Sequence, residues 1–202
     1  DLWGVSQDRV YPDYGTIAAA ESQREDGIDF VIIVTPNHLH YPVAKVFLEH
    51  SIHVACEKPF TLTVAEAEEL CTIAREKDLA IAITYTYAHY PMIRQARSLI
   101  RDGAIGEVME IVAEYPEDFH MLAQNQKPDH FSNWFSDPAK AGESSVVGGM
   151  GIHAWYLLRA MTGLKEEKVI AQFGYYPKNA RLESNARILL RYQGGAQGVL
   201  WT

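Results

Sequence analysis

The first half of the chain alternates short apolar runs with amphipathic segments. Residues 29–34 form a continuous apolar run, which is typical of a strand that is buried on both faces. The same pattern predicts strands over 52–56 and 79–84, with a helix over 42–50 and another beginning at Thr63. Strands and helices that alternate at this spacing indicate βαβ units and a parallel sheet.

After a further helix over 91–102, which Gly103 closes, the pattern changes. Apolar and polar positions now alternate, which predicts strands with one exposed face; these cover 108–115, 169–176, 186–192 and 196–201. Residues 193–195 (Gln-Gly-Gly) form a hairpin signal between the last two strands. A helix over 151–161 follows an irregular segment, 116–148. The fold class is therefore α/β followed by α+β, with a mostly antiparallel second sheet.

Composition narrows the function classes. The 202 residues carry a net charge of -8, and scattered basic residues on such a surface argue against a nucleic-acid partner. No apolar run reaches the roughly 20 residues of a membrane helix, so we expect no membrane partner. The two cysteines, Cys56 and Cys71, suit a reducing cytoplasm.

Three polar segments follow the three predicted parallel strands: Thr35 to His40, Glu57-Lys58-Pro59, and Tyr85-Thr86-Tyr87. Ligands of parallel sheets bind outside the carboxyl ends of the strands. Each segment alone is compatible with an ordinary turn or charged loop. Their convergence on one sheet edge predicts a binding site there.

These motifs resemble the Gfo/Idh/MocA oxidoreductase family. The resemblance rests on Thr-Pro-Asn-x-x-His (35–40), Glu-Lys-Pro (57–59), the helix ending at 102–108 and Gly151-Ile152-His153. It implies a partial Rossmann-like dinucleotide-binding domain over residues 1–88. Residues 89–202 would form an α/β domain for substrate binding and oligomerisation, itself incomplete. By resemblance, homo-oligomers form through the sheet of this second domain.

The resemblance also implies residue roles. Thr35, Pro36, Asn37, His40, Glu57 and Pro59 would bind NAD or NADP. Lys58 would contact both the nicotinamide ribose and the hydroxyl of a sugar or polyol substrate, and His153 would act as the acid/base. Thr86 and Ala88 stand where the family often has Asn and Arg after the third strand, and there Tyr85 and Tyr87 offer alternative hydroxyls to the substrate. An ammonium stabilises a developing alkoxide, and a histidine accepts its proton near neutral pH.

Departures from the family pattern leave an alternative open. No G-x-G-x-x-G occurs, so we expect a truncated form that lacks the phosphate-binding part. Gly149 stands where the family usually has an acidic residue, four positions before His153, and Phe135 stands where an Arg usually follows Trp134. A non-catalytic sugar- or nucleotide-binding regulatory module on the same fold would also fit these differences.

Histidines at 38, 40, 50 and 53 match no usual zinc spacing, so no metal is expected. Asp118, His120, Asp129 and His130 lie in the irregular segment; they could line a sugar pocket but are not in the catalytic set.

Overall fold

The computed structural model describes residues 4–118 and 134–202. It divides into two compact units, residues 1–84 and residues 85–202. The sequence predicts a domain boundary after residue 88.

The first unit contains a three-stranded parallel sheet in the order β1-β2-β3. Its strands are β1 (Phe30–Ile33), β2 (His53–Cys56) and β3 (Ile81–Ile83), and its helices are α1 (Tyr14–Glu21), α2 (His40–Glu49) and α3 (Val64–Glu76). The Thr63 hydroxyl accepts a hydrogen bond from the N–H of Glu66, whose carboxylate accepts from the N–H of Thr63. This capping box satisfies helix-terminal donors and sets where α3 begins.

Within the described residues only one face of β1 is covered, whereas its apolar run predicts a strand that is buried on both faces. Ile33 is buried in the core with Val54 and Cys56, whereas Phe30 and Ile32 are more than half exposed. Side chains alternate between the two faces of a strand, and the helices of this unit that the structure describes pack on the Ile33 side. The continuous apolar run therefore does not by itself decide how many faces are covered.

The second unit contains a mixed four-stranded sheet in the order β4-β7-β6-β5. The strands are β4 (Glu110–Glu114), β5 (Glu166–Gly174), β6 (Asn185–Tyr192) and β7 (Gln197–Trp201), and the helices are α4 (Pro91–Arg101), α5 (Pro138–Ala141) and α6 (Ile152–Thr162). β5 pairs with β6 and β6 with β7 in antiparallel fashion, while β4 pairs with β7 in parallel. The predicted mostly antiparallel sheet is confirmed.

The turn between β6 and β7 is the predicted hairpin. Gly194 and Gly195 have φ angles of 90° and 99°, a region that residues with a Cβ rarely adopt. One face of the sheet packs against α6 through Ile111, Leu158 and Leu190.

Along residues 4–118 and 134–202, no helix combines the length and the apolar character that crossing a bilayer requires.

Candidate active site

The polar loops of the first unit begin side by side. Thr35-Pro36-Asn37 follows β1 and Glu57-Lys58-Pro59 follows β2, and these two strands pair in parallel. The N–H of Glu57 donates to the carbonyl of Ile33 at 2.9 Å, which extends the pairing to the end of β2. The two segments predicted from the strand ends therefore share one edge of the sheet.

The His40 side chain contacts the backbone of both loops. Its ring is fully buried, with Nδ1 2.7 Å from the carbonyl oxygen of Pro59 and Nε2 2.8 Å from that of Thr35. A neutral imidazole donates through only one nitrogen. Both nitrogens face the protein's own backbone, so His40 holds the loops together; its predicted role in lining the cofactor pocket stays a prediction.

Lys58 lies at the centre of the second loop and is partly buried. Burial lowers the pKa of its ammonium group, and the negative charge of Glu57 partly opposes that effect. Desolvation disfavours the charged form of a lysine, so this ammonium group gains more than a surface lysine would from a nearby negative charge. An oxyanion next to Lys58 would supply that charge.

The end of β1 also offers polar atoms that suit a nucleotide. The Thr35 hydroxyl oxygen and His38 Nδ1 are buried and have no hydrogen-bond partner within the described residues. Buried polar atoms normally find a partner, and a ribose hydroxyl or an amide would serve. These donors and acceptors fit the ribose and nicotinamide part of a dinucleotide. Asn37 is also buried, at the start of the short 3-10 helix Asn37–Leu39.

In the second unit, three aromatic rings pack against Tyr87 near the start of α6. The Tyr87 ring lies 4.8 Å from the His153 ring, 5.8 Å from Tyr90 and 6.0 Å from Tyr115, each measured between centroids and each edge-on. The Tyr115 and His153 rings are 6.3 Å apart. The Tyr87 and Tyr115 hydroxyls lie 2.8 Å apart. The structure therefore brings two predicted residues, Tyr87 and His153, together with Tyr115.

A cavity of about 490 Å³ opens at this cluster. Three of these rings line the cavity, together with side chains of α6 and of the edge strand β4. The lining residues include Tyr87, Tyr115, His153, Leu157, Met161 and Glu114. A few polar groups in a largely apolar cavity are typical of a small-molecule site.

Tyr85 makes a different contact. Its ring stacks on Tyr156 with centroids 3.8 Å apart, and burial raises the pKa of its hydroxyl. Tyr85 remains neutral at physiological pH, so it can offer a hydroxyl but no charge to a substrate.

His153 belongs to a helix whose start is held by a buried carboxylate. The π-helical turn Val147–Gly151 leads directly into α6. Glu183 accepts hydrogen bonds from the Ser144 hydroxyl at 2.7 Å and from the N–H groups of Ser145 and Val147 at 3.0 Å. A carboxylate at a helix N-terminus satisfies free N–H groups and the helix dipole. It therefore fixes the turn from which His153 projects.

Gly149, at the usual acidic position, lies under a phenyl ring. A Cβ at Gly149 would come within 3.0 Å of Cε2 and 3.1 Å of Cε1 of Phe135, and still nearer to Cζ. Phe135 is 7% exposed. The two departures from the family pattern are thus in contact, and the ring fills the space next to the backbone of Gly149.

Tyr115 and Glu183 are not predicted by the sequence. Tyr115 follows a predicted strand, but nothing near it in the sequence marks it as a site residue, and Glu183 lies 38 residues from Ser145. His120, Asp129 and His130 lie outside the described residues. In the part of the chain that the structure describes, no three His, Cys, Asp or Glu side chains form a candidate metal site.

The parallel sheet with polar loops at its strand ends is the architecture of an α/β nucleotide-binding unit, and comparison with known families shows which class the chain belongs to. Residues 4–85 match the model of an oxidoreductase family with an NAD-binding Rossmann fold, and residues 93–202 match the GFO/IDH/MocA C-terminal domain. The chain belongs to the GFO/IDH/MocA oxidoreductase family.

Individual relatives support this assignment. An inositol dehydrogenase homolog from Azotobacter vinelandii, solved with NAD+, is 37% identical with a TM-score of 0.94, and the match covers 99% of this chain and 52% of that one. An inositol dehydrogenase homolog from the same organism, solved with NADH and myo-inositol, gives 35% identity, a TM-score of 0.90 and coverages of 99% and 51%. The uncharacterized oxidoreductase YfiI of Bacillus subtilis is 36% identical over 98% of this chain and 51% of its own length. The chain spans about half the length of these relatives.

Proposed function

We propose that the protein containing this chain transfers a hydride between a hydroxyl-bearing carbon of a sugar or polyol and a nicotinamide cofactor, NAD or NADP. The observation that carries the proposal is the pair of strand-end loops that His40 joins, with Lys58 partly buried between Glu57 and Pro59. Relatives solved with NAD+ and with NADH and myo-inositol support the cofactor and substrate class.

The cofactor-binding residues in this proposal are the predicted ones at the strand ends: Thr35, Pro36, Asn37, His40, Glu57, Lys58 and Pro59. The Thr35 hydroxyl, buried and without a partner among the described residues, supplies the clearest hydrogen-bonding group. His40 acts through the backbone that it holds. The nicotinamide ring, when bound, exchanges the hydride with the substrate carbon.

The chain's own residues handle the proton and the charge. Oxidation removes a hydride from the carbon and a proton from the hydroxyl oxygen. In our proposal His153 takes that proton, and the Lys58 ammonium stabilises the negative charge that develops on the oxygen. Tyr85 and Tyr87 contact the remaining hydroxyls.

The test is a steady-state assay of the protein as its gene encodes it, following NADH or NADPH absorbance with a panel of cyclic polyols and sugars. We expect Lys58→Ala and His153→Ala each to lower kcat/KM by roughly 10² or more. Lys77→Ala is the matched control, because Lys77 is exposed and bonds to the carbonyl of Glu49. Wild-type turnover in the Lys58→Ala, His153→Ala double variant would refute the assignment.

The pH profile adds an independent check. The pKa of Lys58 is lowered by burial, so its ammonium form is lost at a lower pH than in an ordinary lysine. If the ammonium group is required, turnover declines as pH rises through that lowered pKa. Lys58→Arg keeps the charge at all accessible pH values, and we expect its residual activity to lack this decline.

One observation favours the alternative of a non-catalytic binding module. The Phe135 ring occupies the space beside Gly149, where the family pattern has an acid. The alternative predicts that a cofactor or polyol binds, measured by calorimetry, without any turnover. Hydride transfer from any polyol to the nicotinamide cofactor excludes it.

We further propose that the protein forms a homo-oligomer through the sheet of the second unit. On the face away from α6, one apolar row crosses all four strands, Val112–Val199–Leu189–Ile170, and Ile170 is 72% exposed. Exposed contiguous apolar surface marks interaction sites. Acidic side chains flank this row on β4 and basic ones on β5 and β6: Glu110, Glu114, Lys168, Arg187 and Arg191.

These charges are self-complementary. A two-fold axis parallel to the strands places β4 of one copy over β5 of the other, so that acidic and basic side chains meet. We expect Leu189→Glu to give monomers in sedimentation analysis, whereas Glu167→Lys, on an exposed position, leaves the oligomer intact. Wild-type protein that sediments as a monomer contradicts the proposal.

A further inference from the structure

The backbone of Tyr115 is hydrogen-bonded to the neighbouring strand of the second unit's sheet. Its N–H donates to the carbonyl of Trp201 at 2.8 Å, and its carbonyl accepts from the Thr202 hydroxyl at 2.9 Å. Both bonds tie the residue after β4 to the end of β7. A ring that leaves such a backbone has a defined direction, which a loop would not give it.

That ring reaches Tyr87. The two hydroxyls share a hydrogen bond of 2.8 Å, and the Tyr87 ring contacts Tyr90 and His153 edge-on. Tyr87 is therefore fixed at its hydroxyl by Tyr115 and along its ring edges by its neighbours. All these side chains belong to the second unit, and Tyr87, Tyr115 and His153 line the same cavity of about 490 Å³.

The hydroxyl pair has a defined hydrogen-bonding capacity. A phenol has one O–H and can also accept. One of the pair donates to the other, so the accepting phenol keeps its own O–H, and the donating oxygen keeps its lone pairs. Together they offer the cavity one donor and several acceptor positions, which is what an alcohol group requires because it both donates and accepts.

The pair supplies hydrogen bonds rather than a base. The hydrogen bond with Tyr87, together with burial, raises the pKa of Tyr115 well above its ordinary value. A phenol with a raised pKa stays protonated at physiological pH. It orients a hydroxyl group without removing its proton, and the proton transfer is left to His153.

We propose that Tyr115 is a positioning residue for the substrate: its hydroxyl holds the phenol of Tyr87 against His153 so that the pair orients one hydroxyl of the polyol in the cavity. This inference rests on the proposed function. It adds a residue whose effect falls on the KM for the polyol and not on cofactor binding.

The test compares Tyr115→Phe with Tyr90→Phe as matched control, because the Tyr90 ring also packs edge-on against Tyr87 but is half exposed. We expect Tyr115→Phe to raise the KM for the polyol about tenfold, the equivalent of one hydrogen bond, with the cofactor KM unchanged. Tyr90→Phe stays within about twofold. Adding Tyr115→Phe to Tyr87→Phe has no further effect, because the shared bond is already lost.

A second readout does not depend on turnover. In a spectrophotometric titration of the phenols, Tyr87→Phe removes the main cause of the raised pKa of Tyr115, so one phenol should ionise at lower pH than in the wild type. An unchanged titration shows that the hydroxyl pair is not formed and overturns the inference. So does an active wild type whose polyol KM is unaffected by Tyr115→Phe. An inactive wild type overturns the proposed function and this inference together.

Discussion

The contact between Gly149 and Phe135 gives a sharp prediction for stability: Gly149→Ala should destabilise the second unit. The added Cβ would lie 3.0 Å and 3.1 Å from two ring carbons of Phe135 and nearer still to a third. Carbon atoms pack at about 3.5–4.0 Å. One of the two groups must therefore move, and the cost depends on whether it can.

Neither group can move easily. The Phe135 carbonyl accepts from the Ser145 hydroxyl at 3.1 Å, and its ring is flanked by Trp134 at 5.2 Å. The N–H of Gly149 donates to the Ser145 carbonyl at 2.8 Å. Overpacking a closed site costs about 1–3 kcal/mol, and alanine's better helix propensity returns up to about 1 kcal/mol. We therefore expect a net destabilisation of about 1–2 kcal/mol.

Gly148→Ala is the matched control in the same helical turn. A Cβ there meets Ser144 at 3.4–3.5 Å, which is ordinary contact, so this substitution should be neutral or slightly stabilising. In a Phe135→Leu background the smaller side chain relieves the clash, and Gly149→Ala should then cost little. A double-mutant cycle measures the difference as a coupling energy.

The assay is urea unfolding followed by tryptophan fluorescence. Trp134, Trp155 and Trp201 lie in the second unit, so fluorescence reports mainly on it, which matters because a chain with two units need not unfold in one step. The reasoning is refuted if Gly149→Ala and Gly148→Ala unfold at the same urea concentration, or if the cost of Gly149→Ala persists unchanged in the Phe135→Leu background.

Three further predictions follow from buried groups. Glu183→Ala should lower the free energy of unfolding of the second unit by roughly 2–4 kcal/mol, because the N–H groups that Glu183 accepts from lose a charged acceptor. Glu167→Ala, at an exposed position, is the control. Equal urea midpoints for the two variants would contradict the capping role of Glu183. His40→Leu should destabilise the first unit by roughly 1–3 kcal/mol, because the loop carbonyl to which the imidazole donates loses its partner. His40→Gln should restore part of the loss in thermal unfolding, and identical melting of His40→Leu and wild type would exclude this role of His40. Burial raises the pKa of Cys56 to about 12, so a disulfide reagent at pH 8 should modify exposed Cys71 at once and buried Cys56 only after denaturation. Because the folded state holds the Cys56 proton more tightly than the unfolded state, this thiol stabilises the fold below about pH 9, and the stabilisation is lost as pH rises toward 12.

Local sequence patterns predicted most of the helices and strands, and they predicted that the polar loops after β1 and β2 share one edge of the sheet. The Thr63 and Glu66 signal marks the start of α3 because both partners lie within one turn. The strand-end loops were predictable because parallel strands place their carboxyl ends at one sheet edge. The open face of β1 was not predictable, because an apolar run records what a residue prefers and not which neighbours the chain brings to it.

The residues that hold the site had no local signal. Glu183 caps a turn 36 to 39 residues before it, and Tyr115 meets Tyr87 across 28 residues. Such contacts exist only once the sheet of the second unit has formed. The side chains that support the candidate site are therefore set by tertiary geometry and not by a local sequence motif.

Motif residues and the residues that support them should respond differently to substitution. In each unit, motif residues stand beside a side chain that holds their backbone in place. In the first unit His40 contacts the backbone of the strand-end loops, and in the second Glu183 accepts from the backbone at the start of the helix that carries His153. Loss of either support would reduce activity and could be mistaken for loss of a catalytic group. Because a support acts by holding backbone, its removal lowers stability and activity together, whereas Lys58→Ala removes a partly desolvated charge and should spare stability. Unfolding measured beside kcat and KM therefore separates the two kinds of residue, and activity alone does not.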